Sequence, residues 1–415
     1  MNPEKTLTVR LNKTFIGYLE QNLQGKFVFT YNEKAQIPLS ISLPLRKEPY
    51  EDKDCRGFFE GLLPEGEQIR VEIGKRYGVN PKNEFSLLKV IGYDCAGAVS
   101  FTEYEENPKN YKNEFITIKG DKFTDETLEQ YINELPKKPL LTNSDGLRLS
   151  LAGAQDKMAV LLLDDIVALP KADVPTSHII KPAIKDIEYS IENEYLCLQL
   201  AKMIGLNVCE AEIRKTKNLK YLLIKRYDRE IDGNKVRRIH QEDFCQAKNI
   251  TSAFKYQREG GVKISDCFEL LRKTKTPIPN IIELINRIVF NYLIGNADAH
   301  GKNFSLLYTD SGITFAPAYD ILCTAVYPEL TKQMAMKIGG YYEPDKIYPR
   351  HWKKMADEVG ISYTQLKSII LKQAETLPLL LLALIDHSTA EIGKQILTYV
   401  TNNCNSTIKK FENEE

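Results

Sequence analysis

The residues of this chain best suited to chemistry are Asp298, Asn303 and Asp320. They stand in Asp298-Ala-His-Gly-Lys-Asn303 and, past a short hairpin, in Ala318-Tyr319-Asp320. The pattern is a carboxylate, then an amide, then a second carboxylate beyond two short strands. Phosphoryl transfer from ATP needs such groups. One Asp accepts the proton of the attacking hydroxyl, while an Asn and a second Asp hold Mg²⁺ against the phosphates. Asn, Asp and Gly also cluster in Asx-turns and helix caps, so the first six residues alone leave both readings open. Asp320 favours chemistry, because two carboxylates brought together without a cation repel each other.

Other groups fit the same reading. The D-x-x-x-x-N spacing is that of protein-kinase catalytic loops, which also use a strand Lys held by a helix Glu. Here Lys181 ends the strand His178-Ile-Ile-Lys181, and Glu194 lies on the next helix. Glu192, two residues earlier, points elsewhere on that helix. A surface Lys at a strand end is the plainer alternative. The segment Ser150-Leu-Ala-Gly-Ala-Gln-Asp-Lys157 is rich in small residues, which let backbone N–H groups approach phosphates. It matches neither G-x-G-x-x-G nor the P-loop, and an ordinary hairpin turn accounts for it equally. Ser150 stands at its entrance, where a hydroxyl could be phosphorylated. His300 can orient the loop backbone or touch phosphate; His178, His240, His351 and His387 read as packing or surface residues.

The elements around these groups read as a β-rich half followed by a helix-rich half. Alternation predicts strands at Thr8–Leu11 and Lys26–Tyr31, with a turn at Asn12-Lys13. Further strands are expected at Ile41–Leu45, Leu147–Ser150, Met158–Leu163, His178–Lys181 and Tyr221–Tyr227. Helical spacing covers Phe58–Tyr77, broken near its start by Pro64, and Asp125–Leu135. It also covers Ile191–Ile204, with Ser190 as N-cap and Gly205 past the end. The clearest helix is Ile281–Leu293, whose apolar face repeats at helical spacing and which stops at Gly295, just before the Asp298 loop. Strands at Phe304–Tyr308 and Ile313–Ala316 flank the following turn. Helices at Pro349–Val359, Tyr363–Ile385 and Glu391–Phe411 complete the chain.

Composition narrows the function classes. At 415 residues the chain is long enough for two or three domains. Its 43% apolar and 27% charged content are those of a globular protein. Lys plus Arg equals Asp plus Glu at 56 each, so there is no basic excess of the kind that binds DNA unaided. The densest basic cluster, Lys235-Val-Arg-Arg238, reads as a solvated strand end. None of the eight cysteines forms a C-x-x-C pair, and the expectation is reduced thiols in a cytoplasmic protein. No apolar signal segment opens the chain. The longest apolar run, Leu377–Ile385, is too short to span a bilayer.

In this order the motifs resemble the HipA family of bacterial serine/threonine kinases, the toxins of toxin–antitoxin pairs. The resemblance rests on Ser150–Lys157, Ser177–Lys181, Glu192–Tyr195, Gln241–Gln246, Lys255-Tyr256 with Gly260-Gly261, Leu293–Ser305, Tyr319–Ile321 and Ile347–His351. In the N-terminal part it rests on Leu39–Leu45, Leu62–Pro64 and Gly97–Val99. It implies an α+β, two-lobed protein-kinase-like fold: an extra N-terminal subdomain over 1–105, an N-lobe over 106–230 and a helical C-lobe over 231–415.

The resemblance also implies roles. Asp298 would be the catalytic base, and Asn303 and Asp320 would bind Mg²⁺. Lys181, paired with Glu194, would meet the ATP phosphates. Ala152, Gly153, Ala154, Gln155, Asp156 and Lys157 would line the nucleotide site, as would His300, Gly301, Lys302, Asn303 and Tyr319. Lys225, Arg226 and Tyr227 would be the hinge whose backbone meets adenine. Ser150 would be an autophosphorylation site that switches the kinase off. Implied partners are a HipB-type helix-turn-helix antitoxin, DNA only through that complex, and a protein substrate such as an aminoacyl-tRNA synthetase. Family members can carry Glu at the position of Lys225, and residues 324–344 look shortened. A co-repressor without kinase activity and a small-molecule kinase are the competing readings.

Overall fold

The computed structural model describes residues 2–110, 114–136, 155–171 and 174–414. Ser150, Ala152, Gly153, Ala154 and the strand expected at 147–150 lie outside the described residues. The chain forms two compact units. The first takes in residues 1–182, 214–253 and 307–309, and the second takes in 183–213, 254–306 and 310–415.

Two sheets make up most of the first unit, beside a small three-stranded one of Arg229–Asp232, Lys235–Arg238 and Ile116–Thr117. One is antiparallel, in the order Tyr50–Glu51, Phe27–Tyr31, Thr14–Gln21, Thr6–Leu11 and Val99–Glu103. Its first hairpin closes Leu11 against Thr14, with Asn12 at a φ of 53°; Asn tolerates this left-handed geometry better than most residues. The other sheet runs Ala211–Lys215, Lys220–Lys225, His178–Pro182, Met158–Leu163, Ile166–Pro170 and Gly120–Lys122. One apolar core serves both sheets, joining Val9, Phe29, Phe59 and Phe101 to Met158, Ile180 and Leu223. Three helices, Asp52–Glu60, Glu67–Tyr77 and Glu84–Ile91, pack here, and Pro64 falls between the first two, as its missing N–H requires.

Some expectations are corrected. Residues 41–45 form no strand; a single bridge joins Ser40 to Leu43. Ile41 donates its N–H to the Glu242 carboxylate at 3.0 Å, and the Ser42 hydroxyl donates to the Gln246 carbonyl at 2.9 Å. The backbone is thus satisfied by side-chain and loop contacts rather than by a ladder. Arg238 is not a solvated strand end but is buried in an ionic cluster. Ser190 is the first helical residue rather than the cap. Tyr189, at a φ of 55°, precedes the helix, and the Ser190 hydroxyl accepts the Ile184 N–H instead.

The second unit is mainly helical, with helices Ser190–Met203, Ile264–Arg272, Pro277–Ile294, Pro349–Val359, Tyr363–Leu384 and Ala390–Glu412. Pro277 opens the central helix, where an N–H has no intrahelical partner anyway. Gly295 ends it at a φ of 73°. A side chain there would strike the Tyr399 ring at 2.4 Å, so close packing and left-handed backbone both require glycine. Trp352 packs edge-on against Tyr292 of this helix at 5.2 Å. The hairpin expected after Asn303 is present as Ser305–Thr309 and Gly312–Phe315. All eight cysteines are buried and free. No helix among the described residues is long and apolar enough to cross a membrane.

Candidate active site

The Asp298 loop hangs from the C-terminus of the central helix and is tied at each step. The Ala297 N–H donates to the Thr324 hydroxyl at 2.8 Å, and that hydroxyl donates to the Gly295 carbonyl at 3.0 Å. Asn296 is buried; its amide nitrogen donates to the Asn291 side chain at 3.0 Å, and its amide oxygen accepts the Asp298 N–H at 3.1 Å. The Asp298 carbonyl accepts from the His300 N–H at 2.8 Å and from the Asn303 side-chain nitrogen at 2.9 Å. Backbone polarity is therefore spent internally, and the Asp298 side chain is left 51% exposed. That combination, a fixed backbone with a presented carboxylate, is what a base needs.

The same framework carries the other two groups. Gly301–Asn303 form one 3₁₀ turn leading into the hairpin. The hairpin base closes through the Ala316 N–H and the Ser305 carbonyl at 2.9 Å. The Tyr319 hydroxyl donates to the Lys302 carbonyl at 2.7 Å and lies 2.6 Å from the Ser305 hydroxyl. Tyr319 thus pins the segment bearing Asp320 to the turn bearing Asn303. Asp320 itself has a φ of 59°. A non-glycine residue in this conformation stores backbone strain, which concentrates at functional sites.

The donor set suits a hard cation. Asn303 spends its side-chain nitrogen on Asp298, which leaves the amide oxygen as its ligand atom. Asp320 adds a carboxylate on the neighbouring segment. Mg²⁺ takes one or two such oxygens and completes its shell with water and phosphate. A closed structural cage would look different, and no cluster of three or more His, Cys, Asp and Glu residues suited to a metal occurs among the described residues.

Two contacts here were not read from the sequence. The Tyr256 hydroxyl donates to Asp298 Oδ1 at 2.5 Å, and the Tyr256 ring meets His300 edge-on at 5.2 Å. Burial, and then the charge of Asp298, push the Tyr256 phenol above its usual range. His300 is buried, with Nε2 3.9 Å from the same carboxylate oxygen. Lys302 is buried as well. Glu192 and Glu194 are both buried on the helix Ser190–Met203.

The remaining candidates lie in the first unit. Lys181 is buried, and in the strand register it stands opposite Leu222. Gln155 donates to the Pro182 carbonyl at 3.3 Å. Burial raises the Asp156 carboxyl above the usual range; Lys157 is half-buried. At the expected hinge, Lys225 is exposed and ends its strand. The Arg226 N–H is already bonded to the Ser177 carbonyl at 3.0 Å, and the Tyr227 hydroxyl donates to Gln241.

The Arg226 side chain turns inward. It joins Arg229, Arg238, Asp94 and Asp228 in a fully buried ionic cluster. Burial alone would raise the Asp94 carboxyl; Arg229, Arg238 and Arg226 outweigh it and hold it well below the usual range. Burial, and then the neighbouring Arg226, push Arg229 down to about 10. The cluster had no sequence signature, since Asp94 stands far along the chain from its partners.

Comparison with known proteins defines the class. The HipA N-terminal domain matches residues 7–102, and the HipA-like C-terminal domain matches residues 149–379. The solved HipA of Shewanella oneidensis, in a complex with HipB and operator DNA, superposes with a TM-score of 0.83 at 26% identity, covering 98% of each chain. The fold is thus the α+β, kinase-like fold of HipA. The chain belongs to the HipA family. It is 40% identical to the Sinorhizobium fredii protein Y4mE over 86% of both chains. It is 29% identical to the Shewanella oneidensis serine/threonine-protein kinase toxin HipA, over 97% of this chain and 96% of that protein.

Proposed function

We propose that this protein is a toxin serine/threonine kinase that transfers the γ-phosphate of ATP to a serine of a cellular protein. The observation that carries the reading is the single hydrogen-bonded framework holding Asp298, Asn303 and Asp320, with Tyr319 as its pin. Asp298 accepts the proton of the serine hydroxyl. The serine oxygen then forms its bond to the γ-phosphorus, the bond to the β-phosphate oxygen breaks, and ADP leaves. Asn303 and Asp320 hold Mg²⁺, which neutralises the charge on the phosphates when bound. Lys181, Glu194, residues 152–157 and the backbone at 225–227 are the further groups that the family resemblance offers to the nucleotide.

HipA of Shewanella was solved with HipB and operator DNA. That supports a HipB-type antitoxin as partner here, with DNA reached through the complex. An aminoacyl-tRNA synthetase is the substrate the family resemblance suggests. Phosphate on Ser150 would add about −1.5 to −2 charges and could not share its loop with ATP, so the modified enzyme binds nucleotide poorly. The test is to incubate the protein with γ-labelled ATP and a bacterial lysate. One labelled lysate protein, together with phosphate on Ser150 by mass spectrometry, is expected. No transfer to any protein overturns the kinase reading. Unmodified Ser150, or modified Ser150 with full ATP affinity, removes the switch.

A further inference from the structure

We infer that Tyr256 is a positioning residue for phosphoryl transfer, holding one oxygen of the Asp298 carboxylate so that the other faces the acceptor hydroxyl. The inference rests on the reading of Asp298 as the base. Its physical ground is the 2.5 Å bond from the Tyr256 hydroxyl to Asp298 Oδ1. An aspartate on a loop rotates about two side-chain bonds, and a half-exposed one gains nothing from packing that would stop it. A single donor on one oxygen fixes the carboxylate plane and spends that oxygen. The second oxygen is then the one free to take a proton.

Tyr256 is built to do this. The turn that carries it is closed by the Glu259 and Gly261 N–H groups, which donate to the Tyr256 carbonyl at 2.9 and 3.0 Å. Gly260 sits at a φ of 100°. A side chain on Gly261 would meet the Phe254 carbonyl oxygen at 2.2 Å and the Lys255 carbonyl at 2.8 Å, so this tight return of the backbone needs glycine. The neighbouring residue anchors the turn, because the Gln257 N–H donates to the Ala335 carbonyl at 3.1 Å and its side chain accepts the Lys337 N–H at 2.7 Å.

The ring is held on several sides. The Arg258 guanidinium lies 5.1 Å from its centroid and the Lys255 ammonium 5.6 Å, with the His300 edge at 5.2 Å. A phenol fixed this well costs little further ordering when it grips the carboxylate. The two cations also put positive potential beside a carboxylate that would otherwise repel incoming phosphate.

The test compares Tyr256→Phe, Tyr256→Leu and Asp298→Asn with wild type. Labelled phosphate transfer to the main acceptor of a bacterial lysate is followed at increasing Mg²⁺–ATP. Tyr256→Phe keeps the ring and loses only the donor. It should lower the rate at saturating ATP by about 10- to 100-fold, as small misplacements of a reacting group do. The ATP concentration for half-maximal rate and the melting temperature should stay at wild-type values.

A Tyr256→Phe enzyme at wild-type rate, with Tyr256→Leu reduced, makes the ring a packing element and overturns the inference. A faster Tyr256→Phe enzyme overturns it too, since the phenol would then be obstructing the acceptor. In either case an inactive Asp298→Asn enzyme leaves the base reading standing. An active Asp298→Asn enzyme removes the base reading itself, and this inference with it.

Discussion

Replacing Asp94 by Asn tests how the first unit holds its candidate hinge. Asp94 Oδ1 accepts from Arg229 at 2.8 Å and from Arg238 at 2.9 Å. Its Oδ2 accepts from the Thr176 N–H at 3.2 Å and the Thr176 hydroxyl at 3.0 Å, and lies 3.8 Å from Arg226. Asp228 balances Arg226 and Arg229 at 2.8 Å each. Asp94→Asn keeps the shape but leaves three buried guanidinium groups against a single carboxylate. Removing one partner of a buried pair costs about 3–5 kcal/mol, which in a unit of this size lowers the melting temperature by about 10 °C.

The same change bears on the proposed adenine contact by a defined route. The Arg226 guanidinium is held by Thr176 at 2.8 Å and the Cys95 carbonyl at 3.1 Å as well as by Asp228, and Arg226 is the middle residue of the candidate hinge. Repelled from Arg229, it should loosen residues 225–227, and Mg²⁺–ATP affinity should fall with Asp298 untouched. The folded Asp94 carboxyl lies below its unfolded value of about 3.9. Its contribution is present above about pH 4 and is lost as pH falls further, so the variant should show a flatter acid limb of stability. Thermal melts from neutral to acid pH, with calorimetric titration of Mg²⁺–ATP, measure each effect. A melting temperature within about 2 °C of wild type would refute the claim that Asp94 balances the buried guanidinium groups.

Asp298→Asn should retain nearly all ATP affinity and lose phosphotransfer, because an amide cannot accept the proton; Asp320→Ala should instead weaken Mg²⁺–ATP binding in the same titration. Burial pushes the Glu242 carboxyl up to about 7, so its contribution has the opposite sense to that of Asp94. It is complete below about pH 4.3 and is lost as pH rises through about 7; Glu242→Gln should abolish this part of the stability–pH curve in urea melts. Gly261→Ala should displace the turn bearing Tyr256, by the 2.2 Å clash with the Phe254 carbonyl, and lower phosphotransfer without lowering ATP affinity. Equal rates for Gly261→Ala and wild type would show that the turn can give way.

Much of the fold was legible in the sequence because its signals are local. Helix Pro349–Val359 and strand Met158–Leu163 fall where the sequence puts them, since helical spacing marks the first and a short unbroken apolar run the second. The end of the central helix was readable from Gly295, and the loop and hairpin beyond it followed from Asn, Asp and Gly at turn positions. The types and spacing of Asp298, Asn303 and Asp320 proposed a phosphoryl-transfer set, and the hydrogen bonds around Asn303 and Tyr319 are what the structure adds to that reading.

Only the tertiary structure decided which distant residues complete these pieces. Residues 41–45 alternate like a strand, yet Ile41 donates to Glu242, 201 positions away, and the backbone follows that partner instead. Arg238 looked solvated because its neighbours in sequence are charged, but Asp94, 144 positions earlier, draws it inside. Tyr256 gave no sign of reaching Asp298, 42 positions on. A hydrogen bond or ion pair is set by distance in space, which the order of residues along the chain does not contain. The sequence alone therefore offered the candidate groups, and only the packing could show which distant residues contact them.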